Sequence, residues 1–142
     1  MVRVRYLLGQ KDSTVWTIEA EEPVLEAIQL MADKGIGALP VVRGEELVGI
    51  VSERDYARKV ILKGRSSSDT PVWQIMSSPV ISVGPDEDVH RCMETMTERR
   101  IRHLPVVERG KMIGMISIGD LVKAVIDEQQ QTIYQLERYI AG

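Results

Sequence analysis

The sequence predicts an α+β protein in which two βαββα repeats pack about a pseudo-two-fold axis. The first reason is an internal duplication: adding 65 to a residue number carries residues 15–57 onto the second half of the 142-residue chain without a gap. The second reason is that each copy alternates short β-branched runs with apolar residues at helical spacing. The third is size, because a unit of about 60 residues buries little apolar surface alone and gains a core by packing on its twin.

The duplication is clearest in two stretches. Residues 39–42, Leu-Pro-Val-Val, return unchanged at 104–107. The second stretch is a Gly-x-x-Ser-x-x-Asp series that joins an apolar run to a helical pattern; it comprises Gly49, Ser52 and Asp55 in the first copy and Gly114, Ser117 and Asp120 in the second. Nearer the N-terminus the offset becomes 68, which pairs Val4, Leu7 and Leu8 with Val72, Ile75 and Met76. These correspondences predict a first repeat over residues 1–65, a second over 66–127 and a helical extension over 128–142.

The elements of the first repeat follow in chain order. Val15–Ile18 is β-branched and aromatic, which predicts a short strand. Apolar residues from Val24 to Met31 recur at helical spacing. Ala38–Val42 and Leu47–Val51 are apolar runs joined by a short polar connection, which predicts a hairpin covered by helices. Ser52 then begins a second helix.

The second repeat follows the same order and ends in a longer helix, predicted from Ser117 to about Ala141. Its apolar positions have the 4-3-4-3-4 spacing of a coiled-coil seam interrupted by one glutamine; they are Val122, Ile126, Gln129, Ile133, Leu136 and Ile140. Two interpretations stay open. The helix folds back on its own domain, or it contacts another subunit in a homodimer.

Composition excludes several classes of function. A net charge of −3 and 4% aromatic residues argue against nucleic-acid binding. No apolar stretch reaches the length of a membrane span, and the N-terminus lacks the apolar core of a signal peptide. The single cysteine, Cys92, fits a reducing compartment and lies on an apolar helical stripe. We therefore expect a cytoplasmic protein with no nucleic-acid or membrane partner, and no residue set predicts a catalytic or metal site.

The Ser-x-x-Asp pattern has two interpretations. At a helix start it is typical of a capping box, in which the serine and the acid each bond a backbone N–H. Its repetition after the same strand, with Arg54 inside the first copy, also fits a ligand held at two equivalent places. A helix N-terminus favours phosphate, and a short carboxylate can accept hydrogen bonds from a ribose. The two interpretations are compatible.

The stretches GIGALPVVRGEELVGIVSERD and RIRHLPVVERGKMIGMISIGD resemble the two halves of a CBS domain pair, also called a Bateman module. The likeness covers roughly residues 4–127. Its marks are the Leu-Pro-Val-Val strand, the strand-to-helix turn and a Val-x-x-Ile-Met segment at 72–76. The family implies a βαββα pair that binds AMP, ADP, ATP, NAD or S-adenosylmethionine and regulates an associated protein. It implies no catalytic cofactor, and many members dimerise.

The resemblance also implies two composite clefts. The first cleft would comprise Ile50, Ser52, Arg54, Asp55, Pro79, Val80, Ile81, Ile101 and Arg102. The second would comprise Met115, Ser117, Asp120, Thr14, Val15, Trp16, Ile36, Gly37 and His103. In family terms the two aspartates hold the ribose, the two serines lie near phosphate, and strand backbone reads the adenine edge. Gly119 stands where the first copy has Arg54, so we expect the first cleft to favour a phosphate-rich ligand.

The expected function is a non-catalytic sensor for an adenosine-containing small molecule. An alternative is an interaction scaffold whose clefts are vestigial and whose C-terminal helix binds a partner. An enzyme is disfavoured, because the sequence shows no activated nucleophile and no paired general acid and base.

Overall fold

The computed structural model describes residues 1–11 and 14–142, and it divides into two compact units. The continuous unit comprises Trp16–Ile81. The discontinuous unit comprises Met1–Val15 together with Ser82–Gly142. These units describe how the chain packs, whereas the repeat boundaries at residues 65 and 127 stay a prediction about the duplication.

The continuous unit contains a three-stranded sheet in the order β1-β2-β3. Strand β1, Ile18–Glu19, pairs in parallel with β2, Ala38–Arg43. Strand β2 then pairs antiparallel with β3, Glu46–Ser52, through the predicted hairpin. Five of the apolar side chains that fill the core of this unit come from the strands; they are Ile18, Leu39, Val41, Val48 and Val51.

Helices cover this sheet as the hydrophobic pattern predicts. Helix α1, Val4–Gly9, belongs to the other unit. In the continuous unit α2, Val24–Lys34, buries Val24, Ala27 and Met31. Helix α3, Glu53–Tyr56, follows β3 directly and continues as a π-helical turn over Ala57–Ile61.

The discontinuous unit repeats the hairpin with β4, His103–Glu108, and β5, Lys111–Ser117, paired antiparallel. Helix α4 spans Val89–Arg99 and α5 spans Ile118–Ala141. Cys92 is buried on α4, as its place in the apolar stripe predicts, and this burial raises the pKa of its thiol to about 11.

Each unit is completed by a segment that the sequence places before the other repeat. Helix α1, Val4–Gly9, packs on β5, where a Cβ added to Gly114 would lie 2.6 Å from Leu8 Cδ2. In the continuous unit a 3-10 turn over Val72–Gln74 leads to Met76, whose Sδ would lie 2.5 Å from a Cβ on Gly49. The two glycines are therefore needed for close approach. The two segments that correspond by an offset of 68, residues 4–8 and 72–76, therefore occupy equivalent places. Each lies in the unit that contains the hairpin of the other repeat.

The strand predicted at Val15–Ile18 is wrong in position, because β1 covers only Ile18–Glu19. The corresponding strand of the second repeat is reduced to one parallel bridge between Val83 and Val106. Proline explains why pairing stops. In a parallel ladder Pro40 would have to donate its backbone N–H to extend β1 towards residue 16, and proline has none. Pro105 likewise ends the bridge at Val83, whose N–H donates to the Pro105 carbonyl.

Helix α5 confirms the helix predicted from Ser117 to about Ala141. Its first turns bury Leu121 and Ala124, and every residue from 129 onward is exposed. Among the seam positions, Val122 is 40% exposed, Ile126 47% and Ile133 54%. The final turns therefore do not fold back onto the described part of their own domain. The predicted fold class, α+β with two βαββα repeats, is confirmed, with the first strand of the second copy shortened to a bridge.

Candidate functional site

The segment Ser52–Asp55, here called the first turn, is a complete capping box at the start of α3. The Ser52 backbone N–H donates to Asp55 Oδ2 at 2.9 Å, and the Asp55 N–H donates to Ser52 Oγ at 3.1 Å. The Ser52 hydroxyl also donates to Asp55 Oδ2 at 3.0 Å. The capping interpretation is therefore confirmed here, and any ligand role has to use what the box leaves over.

A lysine completes the charge balance of the first turn. Lys59 Nζ lies 3.2 Å from Asp55 Oδ1 and donates to the Ile75 carbonyl at 2.9 Å. The Asp55 side chain is 14% exposed, so it is largely withdrawn from water. The Arg54 side chain is exposed and makes no ion pair or hydrogen bond within residues 1–11 and 14–142.

Backbone pairing brings further predicted residues to the first turn. Ile50 and Ser77 exchange two backbone hydrogen bonds of 3.1 and 2.8 Å, which brings the start of the 77–81 segment beside β3. Pro79 is exposed in this segment, while Val80 and Ile81 are half-buried. The Gly37 carbonyl accepts from the Glu53 N–H at 3.1 Å, which fixes the loop before β2 against the turn.

The segment Ser117–Asp120, here called the second turn, is also a complete capping box. The Ser117 N–H donates to Asp120 Oδ2 at 2.9 Å, and the Asp120 N–H donates to Ser117 Oγ at 3.1 Å. The Arg102 carbonyl accepts from the Ile118 N–H at 2.8 Å, just as Gly37 accepts from Glu53. The two turns therefore have the same backbone design.

Lys11 supplies a cation at the second turn, where the sequence predicted none. Its ammonium lies 2.8 Å from Asp120 Oδ2 and donates to the Met115 carbonyl at 3.0 Å. Met115 corresponds to Ile50 of the continuous unit. The Ile50 carbonyl accepts instead from the Ser77 backbone N–H of that same unit. Gly119 leaves out the guanidinium that Arg54 supplies to the first turn, as the sequence predicts, and Lys11 supplies a different cation from the N-terminal segment.

The contacts at the second turn shift two pKa values. Burial acts to raise the pKa of the Asp120 carboxyl, but hydrogen bonds from Lys11 and the Ser117 N–H outweigh it and hold that pKa below its usual range. His103 pairs with Ser117 across the hairpin. Burial lowers the pKa of the His103 imidazole. The nearby charge of Asp120 acts to raise that pKa, and the positive charges of Lys11 and Arg102 lower it further. These contacts favour the neutral form of the His103 imidazole.

The proline that shortens each first strand also leaves backbone groups without a partner. The carbonyls of Trp16 and Ile81 accept no hydrogen bond from residues 1–11 and 14–142. Each position lies two residues before the residue at which the parallel pairing begins, Ile18 in one unit and Val83 in the other. Such a carbonyl can accept a hydrogen bond from water or from another molecule.

Of the remaining predicted residues, several have a clear place. The Trp16 ring is 39% exposed, and the Lys34 ammonium lies 4.1 Å from its centroid. Val15, Ile36 and Ile101 are half-buried, while Thr14 is exposed. The continuous unit therefore holds Ile50, Ser52, Arg54, Asp55, Pro79, Val80, Ile81, Trp16, Ile36 and Gly37. The discontinuous unit holds Thr14, Val15, Ile101, Arg102, His103, Met115, Ser117 and Asp120. Grouping them into two composite clefts stays a prediction.

Sequence reasoning missed three lysines. Lys59 lies four residues after Asp55 on the same helix, so the helical i, i+4 rule could have identified it. Lys34 ends the helix that follows Trp16. Lys11 carried no such signal, because it lies 109 residues from Asp120 and only the packing of the N-terminal segment on β5 brings them together.

The described residues contain no group of three or more His, Cys, Asp or Glu side chains that could hold a metal ion. Nor does any described helix combine the length and apolar character needed to cross a bilayer.

Comparisons with known proteins agree with these features. The profile of the CBS domain matches residues 12–62 and 72–127. A solved structure of a protein with CBS domains from Burkholderia ambifaria is 52% identical, with a TM-score of 0.87 over 90% of this chain and 96% of the other.

Two further relatives bear on length and assembly. The mitochondrial CBS domain-containing protein CBSX3 of Arabidopsis thaliana is 46% identical over 86% of this chain, which spans 62% of the plant protein. The hexameric CBS-CP12 protein of bloom-forming cyanobacteria is 28% identical, with a TM-score of 0.77 over 86% of this chain and 70% of the other.

Proposed function

Because the chain belongs to the CBS domain family, we propose that it is a non-catalytic regulatory sensor for an adenosine-containing small molecule. The ligand class comprises AMP, ADP, ATP, NAD and S-adenosylmethionine. Binding of the sugar and phosphate is assigned to the two turns. Binding of the adenine edge is assigned to the unpaired backbone that precedes each first strand.

The unpaired carbonyls of Trp16 and Ile81 are the observation that carries this proposal. A capping box alone explains the serines and aspartates of the turns, so those residues cannot decide the question. Helix capping does not explain why Pro40 and Pro105 stop the parallel pairing of the first strands, because those prolines play no part in the capping boxes. The Leu-Pro-Val-Val motif, present in both repeats, keeps a backbone acceptor open twice, and the exocyclic amine of adenine is a matching donor.

The two turns are proposed to differ in what they prefer. Arg54 is exposed and unpaired within the described residues, so the first turn suits a ligand with more phosphate. The second turn offers Lys11, which is already bonded to Asp120 and Met115, and His103, whose neutral form is favoured. A cytoplasmic location remains a prediction from the single cysteine.

Thermal melting with a ligand panel tests the proposal. A ligand that binds only the native state stabilises it by about 2.7 kcal/mol at 100 times its dissociation constant. We expect at least one of AMP, ATP, NAD and S-adenosylmethionine to raise the melting temperature by several degrees. Mass spectrometry of any co-purified small molecule would identify the natural ligand directly.

Matched variants make this test specific. The double variant Asp55→Ala, Asp120→Ala should lose the ligand-induced shift, whereas Asp33→Ala, an exposed carboxylate on α2, should keep it. If no ligand of the panel raises the melting temperature, or if the double variant responds like the parent, the sensor proposal fails.

A scaffold function is the second candidate, and the exposed seam of α5 favours it. Along the seam, one set of alternating positions holds isoleucine at 126, 133 and 140, and the other set holds Gln129 and Leu136. A coiled coil with β-branched residues in one set and leucine in the other favours two strands. We propose on this basis that two copies pair through α5 as a homodimer. The hexameric cyanobacterial relative supports the general idea that such chains assemble.

Truncation after Ile126 separates the two candidates. If the sensor proposal is right, the truncated chain still responds to the ligand. If α5 pairs the subunits, light scattering should report a dimer for the full chain and a monomer for the truncated one. A dimer that survives truncation would contradict the role given to the seam.

A further inference from the structure

The second turn retains unused hydrogen-bond acceptors. A carboxylate offers two oxygens with about four lone-pair positions. At Asp120, Oδ2 accepts from the Ser117 N–H and from Lys11, while Oδ1 accepts no hydrogen bond from residues 1–11 and 14–142. The Asp120 side chain is 27% exposed. One carboxylate oxygen is therefore both partly accessible and without a donor in the described chain.

The same turn also retains an unused donor. A lysine ammonium carries three N–H groups and accepts nothing. Lys11 uses one on Asp120 Oδ2 and one on the Met115 carbonyl. Its side chain is 37% exposed, so the third N–H is available to a molecule that binds beside Asp120.

The first turn is more nearly saturated. Asp55 Oδ2 accepts from both the backbone and the hydroxyl of Ser52, and Oδ1 pairs with Lys59. Both oxygens of Asp55 are thus engaged, against one of the two at Asp120. The difference is one of hydrogen-bonding capacity and not of net charge, because each aspartate has a lysine.

A vicinal diol matches what Lys11 and Asp120 leave over. Each hydroxyl of a diol can donate one hydrogen bond and accept another, so it can bridge a carboxylate oxygen and an ammonium. We propose that Lys11 is a specificity-determining residue of the second turn. In this proposal one ribose hydroxyl donates to Asp120 Oδ1 while Lys11 donates to a hydroxyl oxygen, so the turn selects ribose over deoxyribose. The inference rests on the proposed function, since it needs an adenosine ligand at this turn.

Adenosine, 2′-deoxyadenosine and 3′-deoxyadenosine test it by isothermal titration. The chain carries Asp55→Ala so that the second turn is measured alone. With Lys11 present, removal of a hydroxyl should weaken binding about tenfold for at least one deoxynucleoside, the loss expected for a hydrogen bond to a charged group. In Lys11→Met the same removal should cost clearly less, because the hydrogen bond from Lys11 is already gone and only the one to Asp120 Oδ1 is left to lose.

Two controls keep the result interpretable. Lys111→Met makes the same charge change in the same unit at an exposed hairpin residue, and it should leave the ribose preference unchanged. Lys11→Gln retains a neutral donor and should give an intermediate preference, which also provides a second variant if Lys11→Met does not fold. A ribose preference that stays tenfold in the folded Lys11 variants overturns this inference while the sensor proposal stands. Failure of all three nucleosides to bind the Asp55→Ala chain also overturns this inference, whereas the sensor proposal is decided separately by the melting panel of AMP, ATP, NAD and S-adenosylmethionine.

Discussion

The first and second turns share a sequence pattern and a capping box, yet they obtain their lysine from different parts of the chain. Lys59 lies one helical turn after Asp55, so the first turn is balanced within a single local segment. Lys11 lies 109 residues before Asp120, so the second turn is balanced only when the N-terminal segment packs on β5. Duplication has preserved the backbone design of the turns and has changed how their charge is neutralised.

This difference has a consequence for coupling. At the first turn, the groups that would contact a ligand are held in place by β3 and α3, which are adjacent in the chain. A ligand at the second turn meets a side chain whose position depends on α1. Occupancy of the second turn is therefore expected to stabilise the packing of the N-terminal segment, because binding and packing share the contact of Lys11 with Asp120.

The largest expected difference in unfolding free energy concerns Gly49 and Gly114, the glycines at which residues 72–76 and α1 approach the hairpins. A Cβ on Gly49 would lie 2.5 Å from Met76 Sδ and 3.0 Å from the Ser77 carbonyl, which is backbone and cannot rotate away. The three atoms nearest to a Cβ on Gly114 all belong to the flexible Leu8 side chain, the closest at 2.6 Å. We expect Gly49→Ala to cost about 2–3 kcal/mol and Gly114→Ala about 1–2 kcal/mol in urea unfolding. Equal costs would mean that the two approaches are equally tight.

The ends of α2 and α4 offer a second comparison. Helix α2 ends in a left-handed residue at Gly35, with φ 64°, and α4 ends in the same conformation at Arg100, with φ 56°. Only glycine adopts this conformation without steric cost. Arg100→Gly should therefore stabilise the protein by about 1 kcal/mol and Gly35→Ala should destabilise it by about 1 kcal/mol, as measured by chemical unfolding. A destabilising Arg100→Gly would show that the arginine side chain contributes more than its backbone costs.

A third comparison exchanges the residue between Ser and Asp. Arg54→Gly should lower the affinity for AMP about threefold while adenosine binding stays the same, because only the phosphate contacts the guanidinium. Gly119→Arg should raise AMP affinity by a similar factor, and both effects should shrink at high salt. Titrations with AMP and adenosine at two ionic strengths measure this. Equal changes for the two ligands would contradict a phosphate contact.

The smallest expected effects are pH-dependent and of opposite sign. Burial lowers the pKa of His103 from about 6.5 in the unfolded chain, so its contribution is present above that pH and is lost as the pH falls below it. The hydrogen bond to Glu128 raises the pKa of His90, whose contribution is present below about pH 6.5 and is lost as the pH rises through the folded pKa.

His103→Ala, which reproduces the Ala38 of the first repeat, should flatten the loss of stability between pH 7 and 5. His90→Gln should flatten the loss on the alkaline side. Each change should be small, and the change for His90 should be the smaller, because its side chain is half exposed and solvent screens its contact with Glu128. Unfolding free energies at a series of pH values test both signs, and a steeper acid loss in His103→Ala would contradict the assignment.

The duplication made much of the fold predictable. Apolar spacing identified α2 and the two hairpins, because those elements bury one face along their length. It also identified the whole length of α5, although only the first turns of that helix are buried. The first strands were misplaced, since their residues have strand propensity but their partner strand carries a proline at the position that would have to donate. Capping boxes were predictable from local sequence, whereas Lys11 was not, because its contact depends on the exchange of α1 into the other unit.

Titration of AMP into the unmutated chain and into Asp55→Asn, Asp120→Asn and the double variant tests the central claim most directly. Asparagine is nearly isosteric with aspartate and retains an oxygen for the capping box, but it loses the charge and part of the acceptor capacity. The account predicts that AMP binds the parent chain and that the double variant loses binding. AMP bound equally well by the double variant, or not bound by the parent at all, would show that the two carboxylates serve only to cap their helices.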